Sequence, residues 1–218
     1  GGTTVAAGTL KVEGNQGGAT GAVTVASGAT LGGAGTLGGV VTVQNGGSLT
    51  GQAGSLLTLA GLNLAPTANL NVALGAPSAT ALVQVNGPLT LDGVLNVTNT
   101  GGFGAGVYRL LNYTGTLTDN GLTLGAVPGS ASSLAVQTTV ANQVNLVFDA
   151  SALNLWRGGS GVWTAAPAST AWTNASGTAN VAWQPQFAIF QGTAGTVTVD
   201  TTAGAVVFTG AQFAANGF

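Results

Sequence analysis

Cysteine and histidine are absent from this 218-residue sequence, and charge is nearly absent: three Lys or Arg and five Asp or Glu make up 4% of the chain, against about 25% in an ordinary soluble domain. Without cysteine there are no disulfides and no thiolate metal sites, a usage compatible with passage through an oxidising periplasm. Without histidine, a Ser-His-Asp triad or a histidine metal centre cannot be built. Lys11, Arg109 and Arg157 are the only cations. They are too few and too scattered to neutralise a run of phosphates, which excludes nucleic-acid binding. A Walker motif is excluded as well, because Lys11 lies outside any glycine-rich phosphate loop. The longest uncharged stretches are full of Gly, Thr and Asn, so no transmembrane helix is expected and the chain is not membrane-spanning.

What is present is a repeat. Gly21-Ala-Val-Thr-Val-Ala-Ser-Gly-Ala-Thr-Leu31 returns as Gly39-Val-Val-Thr-Val-Gln-Asn-Gly-Gly-Ser-Leu49. Gly21 and Gly39, Val23 and Val41, Thr24 and Thr42, Val25 and Val43, Gly28 and Gly46, and Leu31 and Leu49 coincide. Thr4, Val5, Gly8 and Leu10 align with the same template after a one-residue gap. Each copy is a short alternating strand, a glycine turn and a second short strand. Such a unit is too small to bury a core alone and is stable only when copies stack, which predicts a β-solenoid. The 38 glycines follow no collagen triplet and fall at the ends of the alternating runs, where they act as turn residues.

The same pattern continues in Leu57-Thr-Leu59, Leu62-Asn-Leu64, Leu70-Asn-Val72, Val83-Gln-Val85, Leu89-Thr-Leu91 and Leu95-Asn-Val97. Alternate residues of a strand share a face, and no window sustains a helical period. Short, regularly spaced strands also suit an antiparallel sandwich. Three features favour the solenoid: very short strands, turns built on Gly and small residues, and a tandem near-identical unit. With rungs of roughly 20 to 25 residues, Thr and Asn at equivalent positions are expected to form hydrogen-bonded ladders.

Aromatic residues enter at Phe103–Tyr113 without loss of the alternation, so one continuous segment over 1–218 is expected. All four tryptophans, Trp156, Trp163, Trp172 and Trp183, lie in a Gly-, Ser- and Ala-rich stretch with weaker alternation. A hairpin or loop excursion over 156–186 is therefore expected. Ala188-Ile-Phe190, Thr196-Val-Thr-Val199 and Val206-Val-Phe208 then resume the rungs. The chain starts and stops within the pattern, at Gly1-Gly2-Thr3 and Asn216-Gly217-Phe218, and is expected to be a piece of a longer protein.

No catalytic, cofactor-binding or metal-binding residue is expected, and the segment is not expected to be an enzyme. Glu13, Asp92, Asp119, Asp149 and Asp200 are far apart in sequence. Neighbouring rungs bring distant residues together, but solvated turn positions are the better assignment for them. Gly33-Ala-Gly-Thr-Leu-Gly38 matches a dinucleotide fingerprint in form only, because a strand, Val40–Val43, follows where a helix is required. The tryptophan cluster is the one feature with binding potential, through sugar stacking or an interface; covering a widened core end is the stronger expectation.

The rung motifs resemble the passenger region of bacterial type V autotransporters. Gly2–Val12 resembles the passenger-associated strand repeat. Tyr108–Gly115 with Asn120–Gly125 resembles a segment nearer the translocating barrel, and Trp156–Trp163 with Phe187–Asp200 and Gln212–Phe218 resembles another. The resemblance implies a right-handed parallel β-helix exported through the outer membrane and displayed or released at the cell surface. It implies a translocator β-barrel elsewhere in the full-length chain, and host or bacterial surface ligands or self-association as partners. The function implied is a stalk, an adhesive surface or a secretion-supporting fold. A carbohydrate-binding or carbohydrate-active β-helix using the Trp-rich region is the alternative.

Overall fold

Val23, Thr24 and Val25 lie beside Val41, Thr42 and Val43 in a parallel pair, the register that the repeated sequence predicts. The computed structural model describes residues 1–177 and 179–218. Its described residues form β-strands, turns and two short 3-10 turns at Ala131–Ser133 and Ala150–Ala152, with no α-helix. The chain divides into two units. The first comprises Gly1–Ala76, Thr80–Phe103 and Arg109–Ala131; the second comprises Pro77–Ala79, Gly104–Tyr108 and Ser132–Phe218.

In the first unit the chain alternates between two sheets. It passes from Thr3–Val5 in one to Thr9–Val12 in the other, and back to Val23–Val25 and Thr30–Gly33. Successive repeats of this unit pair in parallel, each strand lying beside its equivalent in the next repeat. Parallel strands need a crossover connection, and here the crossover is the other sheet plus its turns.

Residue columns result. Leu10, Leu31, Leu49, Leu70 and Leu95 are successive register partners, and Leu31, Leu49, Leu70 and Leu95 are essentially inaccessible. Val5, Val25, Val43 and Leu64 form a second column, also buried. Between them point the half-buried polar residues Thr24, Thr42, Asn71 and Asn96, so period-two alternation separates the core from the solvated face.

The expected ladder exists for asparagine. Asn96 Nδ2 donates to Asn71 Oδ1 at 2.9 Å and to Asn69 Oδ1 at 3.3 Å, and Asn96 Oδ1 accepts from the Ala126 N–H at 2.9 Å. One threonine, Thr50, donates instead to the Leu31 carbonyl of the preceding repeat, at 3.2 Å.

Glycine matters here for two different reasons. Gly28 and Gly46 turn the chain at φ 76° and 74°, a region that β-carbon sterics disfavour, and the Gly28 N–H donates to the Gly46 carbonyl at 3.0 Å. Gly21 and Gly39 instead permit backbones to approach: a Cβ on Gly39 collides with the Gly21 carbonyl, and one on Gly21 with the Gly1 carbonyl.

The second unit mixes directions. Leu153–Trp156, Phe187–Phe190 and Gly210–Phe213 pair in parallel, as do Gly161–Thr164 and Val197–Asp200. Leu134–Gln137 with Gln143–Phe148 is an antiparallel hairpin, turned through Asn142 at φ 65°. Trp172–Thr173 runs antiparallel to Leu155–Trp156 and to Asn180–Val181. One apolar cluster of this unit gathers Val107, Val147, Leu155 and Ile189.

Substituting Gly39→Ala is expected to cost about 1–3 kcal/mol, the range for overpacking a tight site, read as a lowered urea midpoint. Gly18→Ala, where an added Cβ meets open space, is expected to leave the midpoint in place.

Candidate functional site

The aspartates fall at turns. Asp92 Oδ1 accepts from the Gly93 N–H at 2.7 Å, Asp119 Oδ1 from Gly121 at 3.0 Å, and Asp200 Oδ1 from Thr202 at 2.9 Å. Hydrogen bonds from Thr202 hold the Asp200 carboxyl below its ordinary range. Asp149 sits at φ 56° and accepts from the Ser151 hydroxyl at 3.3 Å. These are Asx-type turn contacts, in which a short acidic side chain ties the chain one or two residues on. Stacking does bring two carboxylates to adjacent repeats, since Leu91 and Asp119 are register partners. Each of the two nonetheless serves its own turn, and Asn120 Nδ2 bonds to Asp92 Oδ2 at 3.4 Å. Glu13 and Lys11 line a shallow groove of about 280 Å³ in the first unit.

Tyr108 and Arg109, adjacent in sequence, are both buried. Tyr108 Oη donates to the Gly104 carbonyl and accepts from the Gly104 N–H, both at 2.8 Å; burial raises its pKa and the Gly104 bond partly offsets that. Arg109 bonds to Asn112 Oδ1 at 3.0 Å, and burial lowers its pKa to about 10.

The four tryptophans, dispersed in sequence, meet in a single cluster with Phe190. Trp156 and Trp172 are edge-to-face at 5.2 Å, Trp163 and Trp183 at 4.8 Å, and Trp163 and Trp172 at 5.3 Å. Such tilted pairs suit the ring quadrupoles better than face-to-face stacking. Strand register explains the meeting: Trp156 is the antiparallel partner of Trp172, and Trp163 lies on the neighbouring two-stranded sheet. Relative exposures are 1%, 5%, 0% and 7% for Trp156, Trp163, Trp172 and Trp183. Trp156 Nε1 donates to the Gly159 carbonyl at 3.0 Å and Trp183 Nε1 to the Val207 carbonyl at 3.1 Å. Trp163 Nε1 and Trp172 Nε1 are buried without a partner among the described residues.

Beside Trp156 opens a cavity of about 490 Å³. Arg157, Asn180, Gln191 and Thr193 line it, together with the Asn142 turn. Register builds it: Leu155 pairs with Ile189, so Arg157 and Gln191 each leave their strand two residues later, at the same edge. Gly158 and Gly192, at φ 95° and 76°, follow them. Gln191 is 4% exposed and its Oε1 has no donor among the described residues. Other buried amides of this unit are satisfied: Gln137 Nε2 donates to the Ala175 carbonyl at 2.8 Å, and Asn154 Nδ2 to Gln186 Oε1 at 2.9 Å. Sequence reasoning does not single out Arg157 and Gln191 as neighbours; their one legible trace is that each precedes a glycine at a strand end.

These features define an all-β repeat protein whose first unit stacks in parallel and whose second encloses an aromatic cluster. No family model matches the chain, and no solved structure matches it. The chain is similar to a protein named Adhesin BmaC autotransporter from Brucella suis biovar 1 (strain 1330), at 42% identity over 195 residues. The match covers 83% of the chain and 5% of that relative, so the chain spans a small fraction of the relative's length. At that identity over most of its residues, the chain is homologous to a short segment of that autotransporter.

Two outcomes are expected from these contacts. Trp156→Phe, which leaves the Gly159 carbonyl without its donor, is expected to destabilise by about 1 kcal/mol more than Trp172→Phe, which removes an unpaired buried N–H; parallel denaturant titrations compare them. Tyr108 keeps its proton in the folded chain above pH 10.0, where the unfolded chain releases it. Its contribution is therefore fully present below that pH and lost as pH rises through the raised folded value. Tyr108→Phe is expected to flatten the alkaline fall of a stability-versus-pH curve.

Proposed function

We propose that the chain is a β-helical passenger segment of a surface-displayed autotransporter, non-enzymatic, and serving as a stalk, an adhesive or self-associating surface, or a fold that drives secretion. The observation that carries this reading is the in-register parallel pairing of successive repeats, Val23 to Val41 and Val41 to Leu62. Rungs that template one another in this way coil into a parallel β-helix, right-handed as in the passengers the motifs resemble, and 1–218 then forms one such segment, with 156–186 as an elaboration of the coil. The name of the relative, an adhesin autotransporter, supports surface display and an adhesive role.

The physical mechanism is sequential stacking. Each emerging rung buries its valines and leucines on the previous one, and repeat folding of this nearest-neighbour kind propagates from any nucleus. Folding outside the cell then biases the chain against sliding back through a translocator barrel carried elsewhere in the full-length protein. No helix among the described residues is long and apolar enough to cross a membrane. The burial of all four tryptophans supports a structural role for them over the carbohydrate-binding alternative, which needs open ring faces for stacking.

The combined substitution Val23→Asp with Val41→Asp puts two carboxylates into one buried column. It is expected to reduce surface display of the full-length protein severalfold, measured by antibody labelling of intact cells. Val40→Asp, on the exposed side of the same strand, is expected to leave display unchanged. Wild-type display of the double variant overturns the reading.

A further inference from the structure

We propose that Asn216-Gly217 is a self-modification site, where the chain converts an asparagine to isoaspartate and so loosens Phe218 from the aromatic cluster. Asparagine followed by glycine is the pair best disposed to cyclise, because no Cβ hinders approach of the glycine nitrogen to the side-chain amide carbon. The sequence holds four such pairs, Asn45-Gly46, Asn86-Gly87, Asn120-Gly121 and Asn216-Gly217. Their surroundings separate them.

Ring closure needs a free side-chain amide, a glycine N–H able to give up its proton, and a backbone able to bring the two together. A hydrogen bond donated by that N–H favours its neutral form. Thr67 blocks the first pair twice, since its N–H donates to Asn45 Oδ1 and its carbonyl accepts from the Gly46 N–H, both at 3.0 Å. At the third pair the Gly121 N–H donates to Asp119 Oδ1 at 3.0 Å, and Asn120 Nδ2 to Asp92 Oδ2 at 3.4 Å. The second is pinned through its backbone: the Asn86 N–H donates to the Leu59 carbonyl at 2.7 Å, and the Gly87 carbonyl accepts from the Gly115 N–H at 3.0 Å. Asn86 Oδ1 also accepts from Gln84 Nε2, at 3.1 Å. Asn216 and Gly217 are exposed and lie outside any strand. Neither has a hydrogen-bond partner among the described residues.

The reaction consumes only water. The Gly217 nitrogen, its proton passed to solvent base, bonds to Asn216 Cγ; the Cγ–Nδ2 bond breaks and ammonia leaves, closing a succinimide. Water then opens the ring at Cγ to give aspartate, or at the backbone carbonyl to give isoaspartate, whose main chain is one methylene longer. Either product puts a carboxylate into residues 201–218, which carry no charged side chain. The added methylene falls between two anchors. Ala214 is buried and its N–H donates to the Phe190 carbonyl at 2.7 Å; the Phe218 ring packs against the cluster, 5.8 Å from the ring of Phe190. Lengthening the bend between them shifts Phe218 off its seat. The step stands apart from surface display, since the purified chain carries every atom it needs.

Ageing the purified chain in mildly alkaline buffer tests it, with peptide mapping by mass spectrometry and labelling by an isoaspartyl-specific methyltransferase. In the folded chain the amide-to-acid mass change is expected to accumulate at Asn216 severalfold faster than at Asn45, Asn86 or Asn120, and Asn216→Gln is expected to remove the early methyltransferase signal. In the urea-unfolded chain the four pairs are expected to react at comparable rates. The aspartate and isoaspartate products, separated by chromatography, carry the same charge; the isoaspartate form alone is expected to unfold at a lowered urea midpoint, matching that of Phe218→Ala. Faster reaction at any of the other three pairs in the folded chain, an early signal that survives Asn216→Gln, the same preference for Asn216 after unfolding, or equal midpoints for the two products each overturns the proposal.

Discussion

Everything in the first unit depends on parallel strands keeping register from one repeat to the next. The side-chain period of a strand is two, so a slip of one residue would send Leu31, Leu49 and Leu70 to solvent and bring their polar neighbours inward. Two devices oppose such a slip. Glycine at Gly21 and Gly39 is required where a Cβ would strike the preceding backbone, and this close approach exists in one register only. The asparagine ladder bonds side chain to side chain across repeats at Asn71 and Asn96, which a shifted strand would break. Apolar columns supply the driving force, and glycines and asparagines supply its address.

Charge is almost absent from this scheme, and the few charges present are spent locally. Asp92, Asp119 and Asp200 tie turns through backbone N–H groups within two residues. Arg109 is sunk into the core edge with an amide for a partner, and burial costs it proton affinity. The second unit solves a different problem, closing off strands that run in both directions. It uses aromatic mass for this, with each indole edge set against a neighbouring face.

Legibility follows the same division. The rung register can be read from Gly21–Leu31 and Gly39–Leu49 because repetition aligns partners in sequence before they align in space. The hydrogen-bonded asparagines are legible for the same reason. The meeting of Trp163 with Trp183 is not, since it arises from antiparallel returns and from two separate sheets, and no periodicity encodes it. Nor is the juxtaposition of Arg157 with Gln191, far apart in sequence, which needs the pairing of Leu155 with Ile189 to be known. Local pattern reveals contacts between copies of the same motif and is silent on contacts between unlike ones.

The distance along the chain between register partners is not constant. It stretches from Val23–Val41 early on to Leu89–Leu117 later, while the partners remain aligned. The columns therefore take account of which residue stands at each level and ignore how much chain lies between levels. Connecting segments can lengthen, shorten or diverge without disturbing the interior, because the entropic penalty of a longer connection grows only slowly. In a lineage of such proteins, novelty on the outside would accumulate at the bends, generation upon generation, around an interior that barely changes.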